Sequence, residues 1–358
     1  MRHLLTFVLI FVYGISFGQH QFKFTEGTDL CLTGKLISHT TNPYNRVDTL
    51  KYKGFTTVEN NLVRMSSGLA IAFQTNSTTI SVKTQYGKYW SSPNCNAIAG
   101  MGYDLYIRVG GNWEHAASGV LPEHKSDRNL VLIKDMDSSE KECLLYLPIY
   151  SEVYSVKIGV DANAEILPLE NPFRHRIGVY GSSFTQGRCA TRSGMAWPSQ
   201  FSRSTGLQLL NLGCSGNCKM QPYFADIIAD SDADAFLFDT FSNPTPELIH
   251  ERLFPFIERI QKSHPGKPLI FQRTIYRQSR KFNQREDRME AQKAEMADSL
   301  MAIAVKKYKD VYYITPRASV EDFSTSVDGI HPDNYGYTLW AESIRKPVLK
   351  ILCKYGIR

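Results

Sequence analysis

Two serines stand side by side in "YGSSFTQG" (Tyr180–Gly187), framed by glycines and preceded by the apolar run "IGV". A serine hydroxyl is a poor nucleophile until a base takes its proton, so the stretch has chemical meaning only with a base elsewhere in the chain. One is offered near the C-terminus in "SVDGIHPDNYGY" (Ser326–Tyr337), where Asp328 and His331 sit three residues apart on a glycine-containing turn. That spacing lets the carboxylate accept the N–H of the imidazole nitrogen remote from the serine. The tautomer is then fixed, and the imidazolium formed during attack is stabilised. Acyl transfer also needs donors for an oxyanion. "NLGCSGN" (Asn211–Asn217) offers the backbone N–H of Gly216, whose missing side chain permits close approach. "DTFSNP" (Asp239–Pro244) offers the side-chain amide of Asn243. Each such donor is worth ~10²–10³ in rate.

Two other serine- and glycine-based templates fail. The nucleophile elbow G-x-S-x-G requires glycine where Thr185 stands. A phosphate-binding P-loop requires Gly-Lys-Ser/Thr, which does not follow.

The chain must bring these distant blocks together. From about residue 176 onward, short apolar runs alternate with amphipathic stretches. Strands are expected at 176–181, 207–213, 235–239, 268–272 and 311–314. Helices are expected at about 193–205, 219–230, 245–263, 284–307 and 334–350. Five strands spaced by helices imply a parallel sheet covered on both faces, with ligands at the carboxyl ends of its strands. Every motif above falls at or beyond such an end. The first half has another rhythm: "GLAIAFQTNSTTISVKT", "GYDLYIRVGGNW" and "CLLYLPIYSEVYSVKIGV" read as strands with period-2 alternation and close turns. No helical period persists there, and an antiparallel sandwich of jelly-roll type is expected. The proline-containing "LPLENPFRH" (Leu167–His175) suits a linker. The expected organisation is a β-sandwich domain at 19–168 and an α/β domain at 169–358.

At 358 residues, with 42% hydrophobic and 21% charged residues, the chain is ordinary for a globular protein of two domains. The net charge of +6 is dispersed rather than clustered, which argues against nucleic-acid binding. The start, "MRHLLTFVLIFVYGISFGQ", has a basic end, a short apolar run and small residues at signal-peptidase spacing. Residues 1–18 therefore read as a cleaved export signal rather than a stable membrane span, placing the mature chain in the periplasm or outside the cell. Seven cysteines in so long a chain form no disulfide framework, and "CSGNC" does not match a zinc site, although a Cys214–Cys218 bridge is compatible with an oxidising compartment. The charged run "RQSRKFNQREDR" (Arg277–Arg288) follows a strand end. It is either a solvated loop or an overhang that attracts anionic substrates.

Taken in order, the Ser, Gly, Asn and Asp-x-x-His blocks resemble the SGNH (GDSL-like) hydrolase family over about residues 174–352. The resemblance implies a flavodoxin-like, three-layer domain. It makes Ser183 the nucleophile, because this residue holds the third place of the family's Gly-Asp-Ser block. Ser183 N–H, Gly216 and Asn243 correspond to the oxyanion donors, and Asp328 and His331 to the last block. Ser182 replaces the family's Asp, which removes a charge and an acceptor, and Asn243 lies outside the usual Gly-x-Asn-Asp form. A subgroup with Gly-Ser-Ser-x-Thr-Gln-Gly and an N-terminal β-domain marked Gly-x-Asp-Leu-Tyr fits both oddities. Gly102-Tyr103-Asp104-Leu105-Tyr106 carries that mark.

The resemblance implies a serine esterase working through an acyl-enzyme, with no metal or organic cofactor required. Export and a β-sandwich companion favour an O-acetylesterase acting on acylated carbohydrate, with Tyr89, Trp90 and Trp113 as candidate sugar platforms. A lipid or thioester acyl hydrolase would use the same groups. A non-catalytic carbohydrate-binding protein is the reading from another class. The oligomeric state is not legible.

Overall fold

In the computed structural model, residues 21–121 and 128–358 are described; the expected export signal lies outside them. The first half carries β1 (Phe22–Glu26), β2 (Cys31–Thr33), β3 (Ala70–Thr75), β4 (Ile80–Tyr89), β5 (Tyr103–Val109), β6 (Asn112–Gly119), β7 (Asn129–Ile133), β8 (Lys141–Tyr146), β9 (Ser151–Asp161) and β10 (Ile166–Pro168). They form two antiparallel sheets, ordered β1-β9-β4-β7 and β10-β3-β8-β5-β6, with β2 pairing β3.

Alternation sets what each face meets. Ile71, Phe73, Leu105 and Leu145 of one sheet pack on Val82, Val156 and Ile158 of the other. The residues between them, Ala70, Ala72, Tyr106, Leu144 and Tyr146, form a separate buried layer with Phe173. The second sheet is thus buried on both faces, which is why "AIAF" reads as a continuous apolar run. One expectation is corrected. A helix spans Thr57–Arg64, opened by a reciprocal capping box between Thr56 and Glu59, and a short one spans Ala97–Met101. The T-x-x-E signature was present in the sequence, but eight residues are too few for a helical period to stand out.

The second half is a five-stranded parallel sheet: β11 (Arg174–Gly181), β12 (Leu207–Gly213), β13 (Ala235–Asp239), β14 (Leu269–Gln272) and β15 (Val311–Ile314), ordered β12-β11-β13-β14-β15. β12, β13 and β14 are buried at every residue. The long helices Pro246–Ser263, Gln284–Lys307 and Asn334–Leu352 contribute buried apolar faces to the same core. Strand order reverses beside β11, whose neighbours are β12 and β13. Such a switch point opens a crevice at the carboxyl ends of the strands, just where Ser183 follows β11.

The two halves are locked by buried polar contacts. Asp104 of the Gly-x-Asp-Leu-Tyr stretch is fully buried; it accepts from Arg192 (2.9 and 3.0 Å), Gly194 N (2.8 Å) and Ser118 (2.9 Å). Tyr106 of the same stretch lies under Arg203, 4.0 Å from the guanidinium to the ring centroid. The stretch is therefore an inter-half latch. Arg46, also fully buried, donates to the carbonyls of Leu62 (2.6 Å), Met65 (2.7 Å), Asn211 (3.2 Å) and Gly213 (2.8 Å).

Candidate active site

A one-turn helix, Ser183–Gln186, begins directly after β11. Ser182 caps it, its Oγ accepting from Phe184 N at 3.2 Å. This turn puts Ser183 Oγ at 2.9 Å from His331 Nε2. His331 Nδ1 is 2.8 Å from Asp328 Oδ2, while Asp328 Oδ1 accepts from the backbone N–H groups of Ile330 (3.0 Å) and His331 (2.8 Å). Burial alone would raise the Asp328 carboxyl. The hydrogen bonds from the His331 side chain and backbone, its charge and the Ile330 N–H outweigh burial and hold the group well below the ordinary range. An ionised carboxylate on Nδ1 keeps the proton there and leaves Nε2 as the acceptor facing the serine.

The expected oxyanion donors border the same crevice. Gly216 follows β12 with φ +72°, and a Cβ there would meet nothing within 4 Å, so its glycine supplies backbone conformation and open approach. Asn243 follows β13; its Oδ1 accepts from Cys218 N (3.2 Å), which turns the amide NH₂ the other way. The NH₂ of Asn243 and the N–H groups of Ser183 and Gly216 have no partner among the described residues. The five residues singled out in the sequence, Ser183, Gly216, Asn243, Asp328 and His331, thus come together at one end of the parallel sheet.

The model of the GDSL-like lipase/acylhydrolase family matches residues 174–350, and that of the GxDLY N-terminus of SGNH-hydrolase-type esterases matches residues 22–166. Among solved structures, a GDSL-like lipase candidate from Bacteroides ovatus ATCC 8483 is 37% identical with a TM-score of 0.88, covering 93% of this chain and 98% of its own. The chain belongs to the GDSL-like (SGNH) hydrolase family. It is an ester-hydrolysing enzyme with the SGNH α/β fold. More distant folds are similar too. The salicylyl-acyltransferase SsfX3 from a tetracycline biosynthetic pathway is 19% identical (TM-score 0.71, covering 94% of this chain and 99% of that one). A family two carbohydrate esterase from Cellvibrio japonicus is 11% identical (TM-score 0.61, 93% and 98%). Comparison with curated proteins gives no match.

In this SGNH hydrolase the charge missing at position 182 is restored from another strand. Asp239, at the end of β13, is fully buried; its Oδ2 accepts from Ser182 Oγ (2.8 Å), Ser182 N (3.2 Å) and Thr185 Oγ1 (3.0 Å). Burial pushes its carboxyl up to about 6, against the hydrogen bonds from Ser182 and Thr185 and the Arg277 charge. Thr185 thereby earns its place where an elbow would have glycine. A Cβ on Gly181 would lie 2.1 Å from Thr185 Oγ1, so the glycine belongs at 181 instead. Gln186 Oε1 accepts from Ser215 N (2.9 Å) and Oγ (2.8 Å), tying the serine turn to the Gly216 loop. The whole Gly-Ser-Ser-Phe-Thr-Gln stretch is therefore buried architecture around the hydroxyl that faces His331.

In the basic run at 277–288, Arg277, Arg280 and Lys281 are all paired. Arg277 donates to Ser242 O (3.0 Å) and Oγ (2.9 Å) and pairs with Glu290 (3.1 Å); Lys293 also donates to Ser242 O (2.9 Å). Arg280 pairs with Asp287 and Lys281 with Asp322. Arg277 and Lys293 brace the residue before Asn243. Sequence reasoning missed this because the partners, Ser242 after β13 and Glu290 on the following helix, lie outside the run. The cysteines are all unbridged, Cys214 and Cys218 included. Trp113 stacks beneath Arg108 (4.4 Å) on a strand of the sandwich.

Tyr89 and Trp90 line a groove of about 560 Å³ with Val58, Asn61, Leu62, Met65, Gly87 and Lys88. Two contacts join its walls to the site. Met65 Sδ lies 4.0 Å from Gln186 Nε2, and Trp90 meets Tyr150 edge-on (5.2 Å), whose OH is 2.8 Å from Ser215 Oγ.

Proposed function

We propose that this SGNH hydrolase is an exported O-acetylesterase of carbohydrates. His331 takes the proton of Ser183 as its Oγ attacks the ester carbonyl carbon. The carbonyl oxygen becomes an oxyanion received by the N–H groups of Ser183 and Gly216 and the amide of Asn243. The tetrahedral adduct collapses, the C–O bond to the sugar breaks, and the imidazolium returns its proton to the leaving alkoxide. Water, deprotonated by His331, then releases acetate and regenerates Ser183. The observation that carries the reading is the unbroken line from Ser183 Oγ through His331 to Asp328, at 2.9 and 2.8 Å.

The substrate class rests on the groove. It is broad enough for a glycosyl unit, and it pairs aromatic surface (Tyr89, Trp90) with an amide and an ammonium (Asn61, Lys88). A small acyl group fits the absence of a long apolar run suited to an acyl-chain tunnel in the sequence. The export reading rests on residues 1–18 of the sequence.

Hydrolysis of a chromogenic acetyl ester by wild type and Ser183→Ala tests the mechanism: turnover is expected to vanish in the variant, and equal rates would remove Ser183 from the reaction. Acetate release from a panel of acetylated glycans tests the substrate, with acetyl esters expected to outpace octanoyl esters. Val58→Trp, at the groove's lip, is expected to raise KM for the glycan ester and leave the small chromogenic ester untouched. Preference for octanoyl esters would favour a lipid acyl hydrolase.

A further inference from the structure

The charged end of the acid–base pair is not held by its own loop alone. Asn94, on the segment after β4 in the antiparallel half, donates from Nδ2 to Asp328 Oδ2 at 2.5 Å. This is the same oxygen that faces His331 Nδ1. The amide's orientation is set from behind: its Oδ1 accepts from Arg188 Nη2 (2.5 Å) and from Ser92 Oγ (2.8 Å), and the guanidinium, which has no acceptor, could not satisfy an NH₂ so placed. Arg188 is buried, also donates to Ser92 Oγ, and lies over the Trp90 ring at 4.5 Å. Its own backbone N–H donates to the carbonyl of Ser183 at 2.9 Å. The contacts close a ring that runs from the backbone of Ser183 through Arg188, Asn94, Asp328 and His331 to the hydroxyl of Ser183. Two of its links cross between the halves of the molecule.

We infer that Asn94 is a positioning residue: it fixes the Asp328 carboxylate so that one oxygen stays on His331 Nδ1, and it does so from outside the α/β half. The inference rests on the serine-hydrolase reading for its kinetic consequence, but its geometric part does not. Without the amide, Oδ2 keeps the imidazole and the weak donor Cys189 Sγ at 4.0 Å, while Oδ1 stays pinned by Ile330 and His331 N–H. The carboxylate then rotates about that anchor, and the imidazole is held less often in its productive direction. Both ends of the Asn94 amide are engaged by Asp328, Arg188 and Ser92, so the effect is expected on kcat rather than KM.

The test uses the full chain. Asn94→Ala is expected to lower kcat for a chromogenic acetyl ester about 10- to 100-fold, the range of one hydrogen bond to a charged group, with KM within about twofold. Asn94→Asp, equal in size and still able to take the Arg188 bond, sets a second carboxylate against Asp328 and is expected to cost more than alanine. A readout independent of any substrate is the downfield proton resonance of the His331 Nδ1–H, expected to shift or broaden in both variants while the thermal midpoint stays close to wild type. An unchanged kcat with an unmoved resonance would overturn the inference. So would a fall in kcat accompanied by a lowered midpoint and an unmoved resonance, since that pattern belongs to general loosening. If Ser183→Ala kept full activity, the hydrolase reading would fail, yet the resonance would still report whether Asn94 orders the His331–Asp328 pair.

Discussion

The turn that carries Ser183 and the loop that carries His331 are built on opposite terms. Around Ser183 the contacts are buried: Gly181, Ser182, Thr185 and Gln186 pack between two strand ends, a buried carboxylate accepts from two side chains of the turn, and Ser67 Oγ of the antiparallel half donates to Gln186 O at 2.6 Å. Around His331 the backbone is partly exposed, and order is imported. Ser326 bonds Gln278, Asn334 bonds Thr191 (2.7 and 2.9 Å), and Asp328 receives Asn94 from the other half of the molecule. Phe184, from the serine turn, meets the imidazole edge-on at 5.4 Å and is the direct packing link between the two. A nucleophile can be placed by its own strand and helix. A general base that must swing between two proton partners is held more lightly, by contacts that individual substitutions can remove.

Substitutions can break that contrast, and the largest effects belong to the loop's charge and to the oxyanion donors. Asp328→Asn keeps the shape but favours the wrong imidazole tautomer; kcat is expected to fall about 10³–10⁴-fold, measured on an acetyl ester. Loss below tenfold would show that the carboxylate does not set the tautomer. Asn243→Ala is expected to lower kcat about 10²–10³-fold with little change in KM, and an unchanged kcat would exclude its amide from the oxyanion site.

Effects on the serine turn fall on stability more than on rate. The folded pKa of Asp239, about 6, lies above its ordinary 3.8. The native state therefore binds a proton that the unfolded chain has already lost between those values. Its contribution is full below pH 4 and is lost as pH rises through about 6, an effect of roughly 2–3 kcal/mol. Thermal midpoints of wild type and Asp239→Asn across pH 4–7 test this: the wild type is expected to lose stability relative to the variant as pH rises, and parallel curves would contradict it. Smallest of all, Ser182→Ala removes a helix cap, worth about 1 kcal/mol of stability, and should leave most of the activity. Inactivation as complete as that of Ser183→Ala would exchange the roles of the two serines.

What could be read from the sequence follows the same division. Strands at 207–213, 235–239 and 311–314 and the helix at 284–307 fall as expected, because parallel strands buried on both faces leave short apolar runs between amphipathic helices. Ser183, Gly216, Asn243, Asp328 and His331 were legible because the motifs sit at strand ends or turns. Asp239 was not, although it stands two residues before Phe241-Ser242-Asn243: a carboxylate ending an apolar strand carries no local sign of whose hydroxyl it accepts. Asn94 was hidden more deeply, since its partner lies 234 residues away and only the docking of the two halves brings them together. The bracing role of Arg277 was hidden for a related reason, because its partners Ser242 and Glu290 lie outside the run.

Arg46 shows how far the docking has gone. A guanidinium sealed from water, its pKa pulled down to about 10 by burial, has backbone carbonyls from both halves as its hydrogen-bond acceptors. Severed from the strand that ends at Gly213, the N-terminal portion would open this cation to water with half of its carbonyl acceptors gone. Recombination that trades one half for a foreign counterpart must therefore replace this side chain or supply matching carbonyls.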